Sequence, residues 1–331
     1  MTIAVAPRRP EAPRAPRARA RRRGRRRLGP VLTSWPFARI LVAVLALVGI
    51  ATLLYPSAAS WLTARAQSQQ VDAYVHAVEG LSPGEARAEL RRAHRYNDEL
   101  PGGVPRDPYA GGVAGEQTAV GAEAERYFHT LDLGPEGMMG VLRFPAIDAE
   151  LPLFHGTSPE VLDRGVGHLY GSALPVGGAG THSVLTGHSG LVHATLLTHL
   201  DRARQGDRFT LTVLDQVLTY EVDQIRVVLP TETDELTAVA GEDLVTLITC
   251  TPTGVNTHRL LVRGHRVPTD ESARKESAIS GPRFETFPWW IVVAVLCLVG
   301  VVIGTGPLAR RRRPRRKAAR AVRGPSGQSG S

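Results

Sequence analysis

Apolar residues change their spacing several times along this chain. Ile40 to Leu54 reads ILVAVLALVGIATLL, fifteen apolar or small residues, and counting Phe37 to Tyr55 extends the run to nineteen, with Arg39 able to snorkel. Trp289 to Leu308 is a second run, twenty residues without a charge. At about 1.5 Å per residue each reaches about 30 Å, the thickness of a hydrocarbon core, so both predict transmembrane helices. After the first run, Leu62, Ala66, Val71, Val75 and Val78 fall at helical spacing and predict a helix over Trp61 to Glu79. Ser82-Pro83-Gly84-Glu85 is a capping box with Pro at the first helical position, opening a second helix to about Glu99.

Pro101 to Gly115 (PGGVPRDPYAGGVAG) is too rich in Gly and Pro for regular structure and reads as a lid or linker. From Met138 the period becomes two. Strands are predicted at GVLRFPAI, ELPLFHG, SVLTG, RFTLTVL, LTYEVDQIRVVLP, DLVTLITC and HRLLVRGHRV, with a hairpin turn at Asp215-Gln216. Short helical pieces are expected at about Ser158 to Asp163, Leu191 to Leu200 and Thr233 to Val239. Closely spaced strands with few helices indicate a mainly β barrel or sandwich, not a parallel α/β sheet.

Charge then fixes the context. Residues 1–36 hold eleven Arg against Glu11, and residues 310–331 hold eight Arg and Lys317 with no acid. The tails carry +19 of a net +9, leaving −10 for the body. Basic residues confined to two low-complexity ends argue against a nucleic-acid-binding face. By the positive-inside rule they place both termini in the cytoplasm and the acidic middle outside, with Trp35, Tyr55, Trp289 and Trp290 as interfacial aromatics. Ala64-Arg65-Ala66 offers a rival reading of the first run as a cleaved signal peptide, which leaves the body exported all the same.

Of two cysteines, Cys250 lies in the body and Cys297 in the second run, so no disulfide can form within the body. A lone thiol is ordinarily a small buried hydrophobe. Cys250, however, ends a strand at Thr251-Pro252-Thr253-Gly254, where a ligand can reach it. Nucleophilic work needs a nearby cation or base. Arg259 opens the next strand, and alternation puts Arg259 and Arg263 on one face and Leu260 and Val262 on the other. Among eleven histidines, His188 in Thr186-Gly187-His188-Ser189-Gly190 is the best-placed proton carrier, on a glycine turn after a strand. No metal-ligand spacing is present and no cofactor is called for.

Taken together, FHGTSPEVLDRGVGHLYGSALPVGGAGTHSVLTGHSGL, YEVDQI, VTLITCTPTGVNTHRLLVRGHRV and the upstream RDPY resemble a class C, pilus-assembling sortase, a cysteine transpeptidase of Gram-positive bacteria. The resemblance covers about Tyr74 to Val267. It implies an eight-stranded sortase β-barrel, so that the expected fold is mainly β, that barrel with the short helices, N-terminal helices and two transmembrane helices read above. It further implies Cys250 as nucleophile, His188 as proton shuttle and Arg259 as oxyanion or substrate-positioning cation, with Arg263 the lesser claimant. Asp107-Pro108-Tyr109 matches the family's lid motif, whose aromatic covers the cysteine. Ser189 stands where many relatives have a basic residue, and Thr253 where an aromatic is frequent.

The expected plan is a basic tail (1–36), a span (37–55), N-terminal helices (56–100), a lid loop (101–117), the barrel (118–270), a linker (271–288), a second span (289–308) and a second basic tail (309–331). The resemblance implies partners that are pilins or surface proteins with a Leu-Pro-x-Thr-Gly-like sorting signal, besides membrane lipid. The expected reaction is transfer to a pilin Lys amine. Two alternatives stay open: anchoring of surface proteins to peptidoglycan, and a membrane-tethered β-domain scaffold whose thiol is inert.

Overall fold

The computed structural model describes residues 36–100, 122–277 and 287–305. The chain divides into two units. The smaller, Met1–Leu47 with Val301–Ser331, contributes to the described residues only the ends of two apolar helices. The larger, Val48–Gly300, holds everything else.

Helix α1 runs unbroken over Pro36–Glu79, 44 residues with Pro56 inside it. The separate helix expected at Trp61 is therefore a continuation of the apolar run. It contains one segment, Ile40–Glu79, long and apolar enough to cross a membrane, whereas the apolar stretch Trp289–Gly304 in α6 (Trp289–Thr305) is shorter. The capping box forms as expected. Ser82 N–H donates to Glu85 Oε2 at 2.8 Å and Glu85 N–H to Ser82 Oγ at 3.3 Å, opening α2 (Pro83–Asp98). Helix α3 (Ala122–His129) follows, a helix that the apolar spacing did not signal.

Eight strands close a barrel: β1 (Met138–Phe144), β2 (Ala149–His155), β3 (Val166–His168), β4 (Thr181–Thr186), β5 (Arg208–Val213), β6 (Gln216–Val228), β7 (Asp243–Thr251) and β8 (His258–Val267), in spatial order β1-β2-β3-β4-β7-β8-β6-β5. Seven match the expected strands; β3 has three residues, too few for a period to show. The β5–β6 turn lies one residue earlier than expected, at Leu214-Asp215, because Val213 pairs with Gln216. Helix α4 (Pro159–Arg164) stands where one was expected, and a 3-10 turn at Asp234–Leu236 occupies part of Thr233 to Val239.

Leu191 to Leu200 does not form the expected helix. It is a loop with a 3-10 turn at Leu200–Arg202, Leu196 at φ +39°, and a Leu197 N–H bond back to His188 O at 3.2 Å. Its apolar spacing serves burial instead: Ala194, Leu196, Leu197 and Leu200 are all packed in the core.

The barrel interior is filled from alternate positions of every strand, among them Leu142, Leu153, Leu185, Leu211, Leu247 and Val262. Phe144, Phe209 and Tyr220 stack in a row with centroids 5.4 and 5.6 Å apart. Gly264 makes room for that row, since a Cβ there would lie 2.7 Å from Phe209 Cε1. Helix α1 docks through Val71, Tyr74 and Val75, which pack on Met138, Val141 and Phe154. Each such buried side chain contributes about 1.5–3 kcal/mol. The Tyr74 hydroxyl donates to Met139 O at 3.0 Å and accepts from Leu214 N at 2.8 Å. These bonds tie the helix to the barrel at a fixed height. Helix α5 (Glu271–Ser277) follows the barrel.

Candidate active site

Three adjacent strands build the site. β4 and β7 run parallel and β8 returns antiparallel, so the ends of β4 and β7 and the start of β8 meet at one rim. Cys250 pairs directly with Arg259 across β7 and β8. Residues opposite one another in a ladder send their side chains to the same face with Cβ atoms about 5 Å apart. That face also carries Val184, Ile248 and Leu261, which pack with Leu169 and Leu236 in a cluster separate from the barrel interior. Leu185, Leu247 and Leu260 point into the barrel on the other side. The thiol and the guanidinium therefore lie on the outer face of the sheet, beside that cluster.

His188 reaches the same rim from β4. The last register pair is Thr186 with Ile248, and His188, just past the end of β4, and Cys250 each stand two residues beyond it. The loop is stitched there by three bonds: Gly187 N–H to Ile248 O at 3.1 Å, Thr249 Oγ1 to Gly187 O at 2.7 Å, and Ser189 Oγ to Cys250 O at 2.7 Å. Ser189 is singled out in the sequence by its departure from the family pattern, whereas Thr249 is not marked there as a fastener. A hydroxyl one residue before the thiol, in an otherwise apolar strand, was the available signal.

Cys250 is 8% exposed and Arg259 7%, so both are largely shielded from bulk water. The Arg259 Nη1 donates to Asn256 O at 3.2 Å and His258 O at 3.3 Å, which holds the guanidinium against the turn that joins β7 to β8. Burial pushes the His188 imidazole below its ordinary pKa, nearby Asp163 raises it in part, and His193 lowers it further. At neutral pH the ring is therefore a proton acceptor.

Arg263 lies four residues along β8, about 13 Å from Arg259. Its Nε and Nη2 bond Asp223 Oδ1 and Oδ2 at 3.1 and 2.7 Å, a bidentate pair that raises its own pKa and occupies the planar fork. It serves the β6–β8 face and not the rim. Asp107, Pro108 and Tyr109 lie outside the described residues.

A thiol, an imidazole and a guanidinium on one rim, beside a buried apolar cluster, are groups that can carry out acyl transfer. Such chemistry calls for a nucleophile, a group that moves the proton and a cation to face a developing oxyanion, which are the properties of these three side-chain types.

The sequence model of the sortase domain family matches residues 142–267, a span that contains β2 to β8 whole and all three of these residues. Sortase C-1 from Actinomyces oris is 46% identical, covering 56% of this chain and 100% of that chain with a TM-score of 0.53. A sortase C of Streptococcus pneumoniae is 38% identical, covering 61% of this chain and 97% of that one with a TM-score of 0.54. The curated relative sortase D of Bacillus subtilis is 30% identical over 131 residues, 39% of this chain and 63% of that relative's length. Since the solved class C sortases are matched over essentially their whole length at 38–46% identity, the chain belongs to the sortase family of cysteine transpeptidases.

Proposed function

We propose that this protein is a membrane-anchored sortase that cleaves a Leu-Pro-x-Thr-Gly-like signal between Thr and Gly and transfers the acyl group to a Lys amine of a pilin. The observation that carries the reading is the cross-strand pair of Cys250 and Arg259, with the loop that carries His188 tied to β7 on both sides of it by Thr249 Oγ1 to Gly187 O and Ser189 Oγ to Cys250 O. The Cys250 Sγ attacks the Thr carbonyl carbon as His188 takes the thiol proton. The oxyanion forms beside Arg259. The C–N bond to Gly then breaks, His188 returns its proton to the leaving amine, and a thioester remains. An incoming Lys amine loses a proton to His188, attacks the thioester and forms an isopeptide bond, which restores the thiol.

The acceptor assignment draws on the solved relatives. The Streptococcus pneumoniae enzyme is described for its pilin substrate specificity, and a sortase C of Group B Streptococcus is described as pilus-related. The apolar run in α1 and the basic tails support anchoring with the barrel outside the cell, both termini inside and α6 as a second span. Anchoring in the plane of the membrane raises the effective concentration of substrates held there by their own apolar tails.

The full chain in detergent, mixed with a sorting-signal peptide and no acceptor, should carry the peptide minus its Gly-containing fragment as an adduct on Cys250 by mass spectrometry. Absence of the adduct, with Cys250→Ala and wild type alike, would sink the reading. Adding a pilin and a peptidoglycan stem peptide together then identifies the acceptor; ligation to the stem peptide alone would convert the assignment to cell-wall anchoring.

A further inference from the structure

A cleft of about 1000 Å³ opens in the larger unit between α1, the barrel and the start of α6. Among the described residues, two buried side-chain atoms have no hydrogen-bond partner: Arg143 Nη1 and Trp290 Nε1. Both residues line this cleft, and both atoms are donors. A buried donor without an acceptor is unfavourable, so two of them around one cavity mark a place where acceptor oxygens are missing. Arg143 is already paired with Glu150 through Nη2 at 3.0 Å. The cleft therefore needs oxygens more than it needs bulk negative charge.

The wall toward the apolar helices has the opposite character. Leu54 ends the first apolar run and Val293 lies in the second, and three of the chain's four tryptophans, Trp61, Trp289 and Trp290, line the same cleft. Ser57 and Ser60 line it as well. A matching occupant carries hydrocarbon at one end and a compact cluster of acceptor oxygens at the other.

We propose that the cleft binds a membrane phospholipid. Its phosphodiester accepts from Arg143 Nη1 and Trp290 Nε1, and an acyl chain lies against Leu54 and Val293. The proposal rests on the membrane-anchored reading above. Its far wall includes Ala194 and Leu196, from the loop whose Leu197 N–H holds the His188 carbonyl, so a bound lipid touches the segment that sets His188.

The test uses the full chain in detergent and follows quenching of tryptophan fluorescence by brominated-chain phosphatidylglycerol, with native mass spectrometry counting bound lipids. Quenching should saturate. It should weaken about tenfold in Arg143→Lys, which keeps the pair with Glu150 but loses the guanidinium fork, and in Trp290→Phe, which removes only the indole N–H. Arg91→Gln, on the exposed side of α2, should bind as wild type does. Equal affinity for brominated diacylglycerol, unchanged binding in both cleft variants, or displacement of the lipid by inorganic phosphate would each overturn the proposal. Cleavage of a sorting-signal peptide, measured on the same preparations, separates the two readings: peptide cleavage without lipid binding sinks only the cleft, and lipid binding without cleavage sinks only the enzyme.

Discussion

Arg259 stands directly opposite Cys250 in the β7–β8 ladder, with its guanidinium folded onto the carbonyls of Asn256 and His258. A planar fork can hold that position and still present an edge to an oxyanion, while an ammonium is a point charge on a mobile stem. We expect Arg259→Lys to lower kcat/KM for a sorting-signal peptide about a hundredfold, the usual worth of one oxyanion donor at about 3 kcal/mol. The thermal midpoint should hardly move. Activity within a fewfold of wild type would remove Arg259 from the transition state.

Gly190 and Thr253 fix how closely the two loops of the site approach. Gly190 has φ +76°, and a Cβ there would stand 2.3 Å from Thr253 Cγ2. Gly190→Ala therefore combines a left-handed backbone penalty with a collision, together about 1–3 kcal/mol. Adding Thr253→Ser removes the colliding methyl and should recover the collision part only. Urea midpoints of the single and double variants measure both parts; no recovery in the double variant would mean that the loops do not touch.

The lid expected from the family motif at Asp107, Pro108 and Tyr109 lies outside the described residues. If Tyr109 covers the thiol and Asp107 approaches Arg259, replacing both with Ala should speed alkylation of Cys250 by iodoacetamide. A cover closed by about 1.4 kcal/mol leaves the thiol open about a tenth of the time, so the gain should be about tenfold. An unchanged rate would dismiss the lid.

How much of this was legible depended on the reach of each signal. Alternation along Arg259 to Val267 placed Arg259 and Arg263 on one face correctly, because successive side chains of a strand point to opposite faces whatever covers each face. The partner of Arg263, Asp223, lies forty residues away on β6 and has no local signature. The loop from Leu191 to Leu200 misled because apolar residues spaced for burial mimic a helix when the chain merely wraps the core. His188 was legible as a glycine-flanked ring, but its placement beside Cys250 depends on the parallel pairing of β4 with β7, two strands separated by some sixty residues. Long-range pairing is the part that local periodicity does not encode.

Histidine burial makes the fold itself sensitive to acid. His168 lies wholly inside, with Nδ1 3.0 Å from the Tyr127 hydroxyl and Nε2 2.8 Å from Ala173 O. A neutral ring that donates from Nε2 and accepts at Nδ1 satisfies both contacts. Burial pushes its pKa down to about 3, against an ordinary value of 6.5. A depressed histidine pKa means that the unfolded chain takes up the proton first. Its contribution is intact above pH 6.5 and declines as the pH falls toward about 3. Each pH unit in that window removes about 1.4 kcal/mol, so about 2 kcal/mol is gone at pH 5. Burial lowers His155 and His182 as well, which acts in the same direction. We expect His168→Gln, whose amide can still donate to Ala173 O, to be less stable than wild type at pH 7.5 but to lose about 2 kcal/mol less between pH 7.5 and pH 5 in urea unfolding. Parallel pH profiles for the two proteins would show that His168 is not held neutral by its burial.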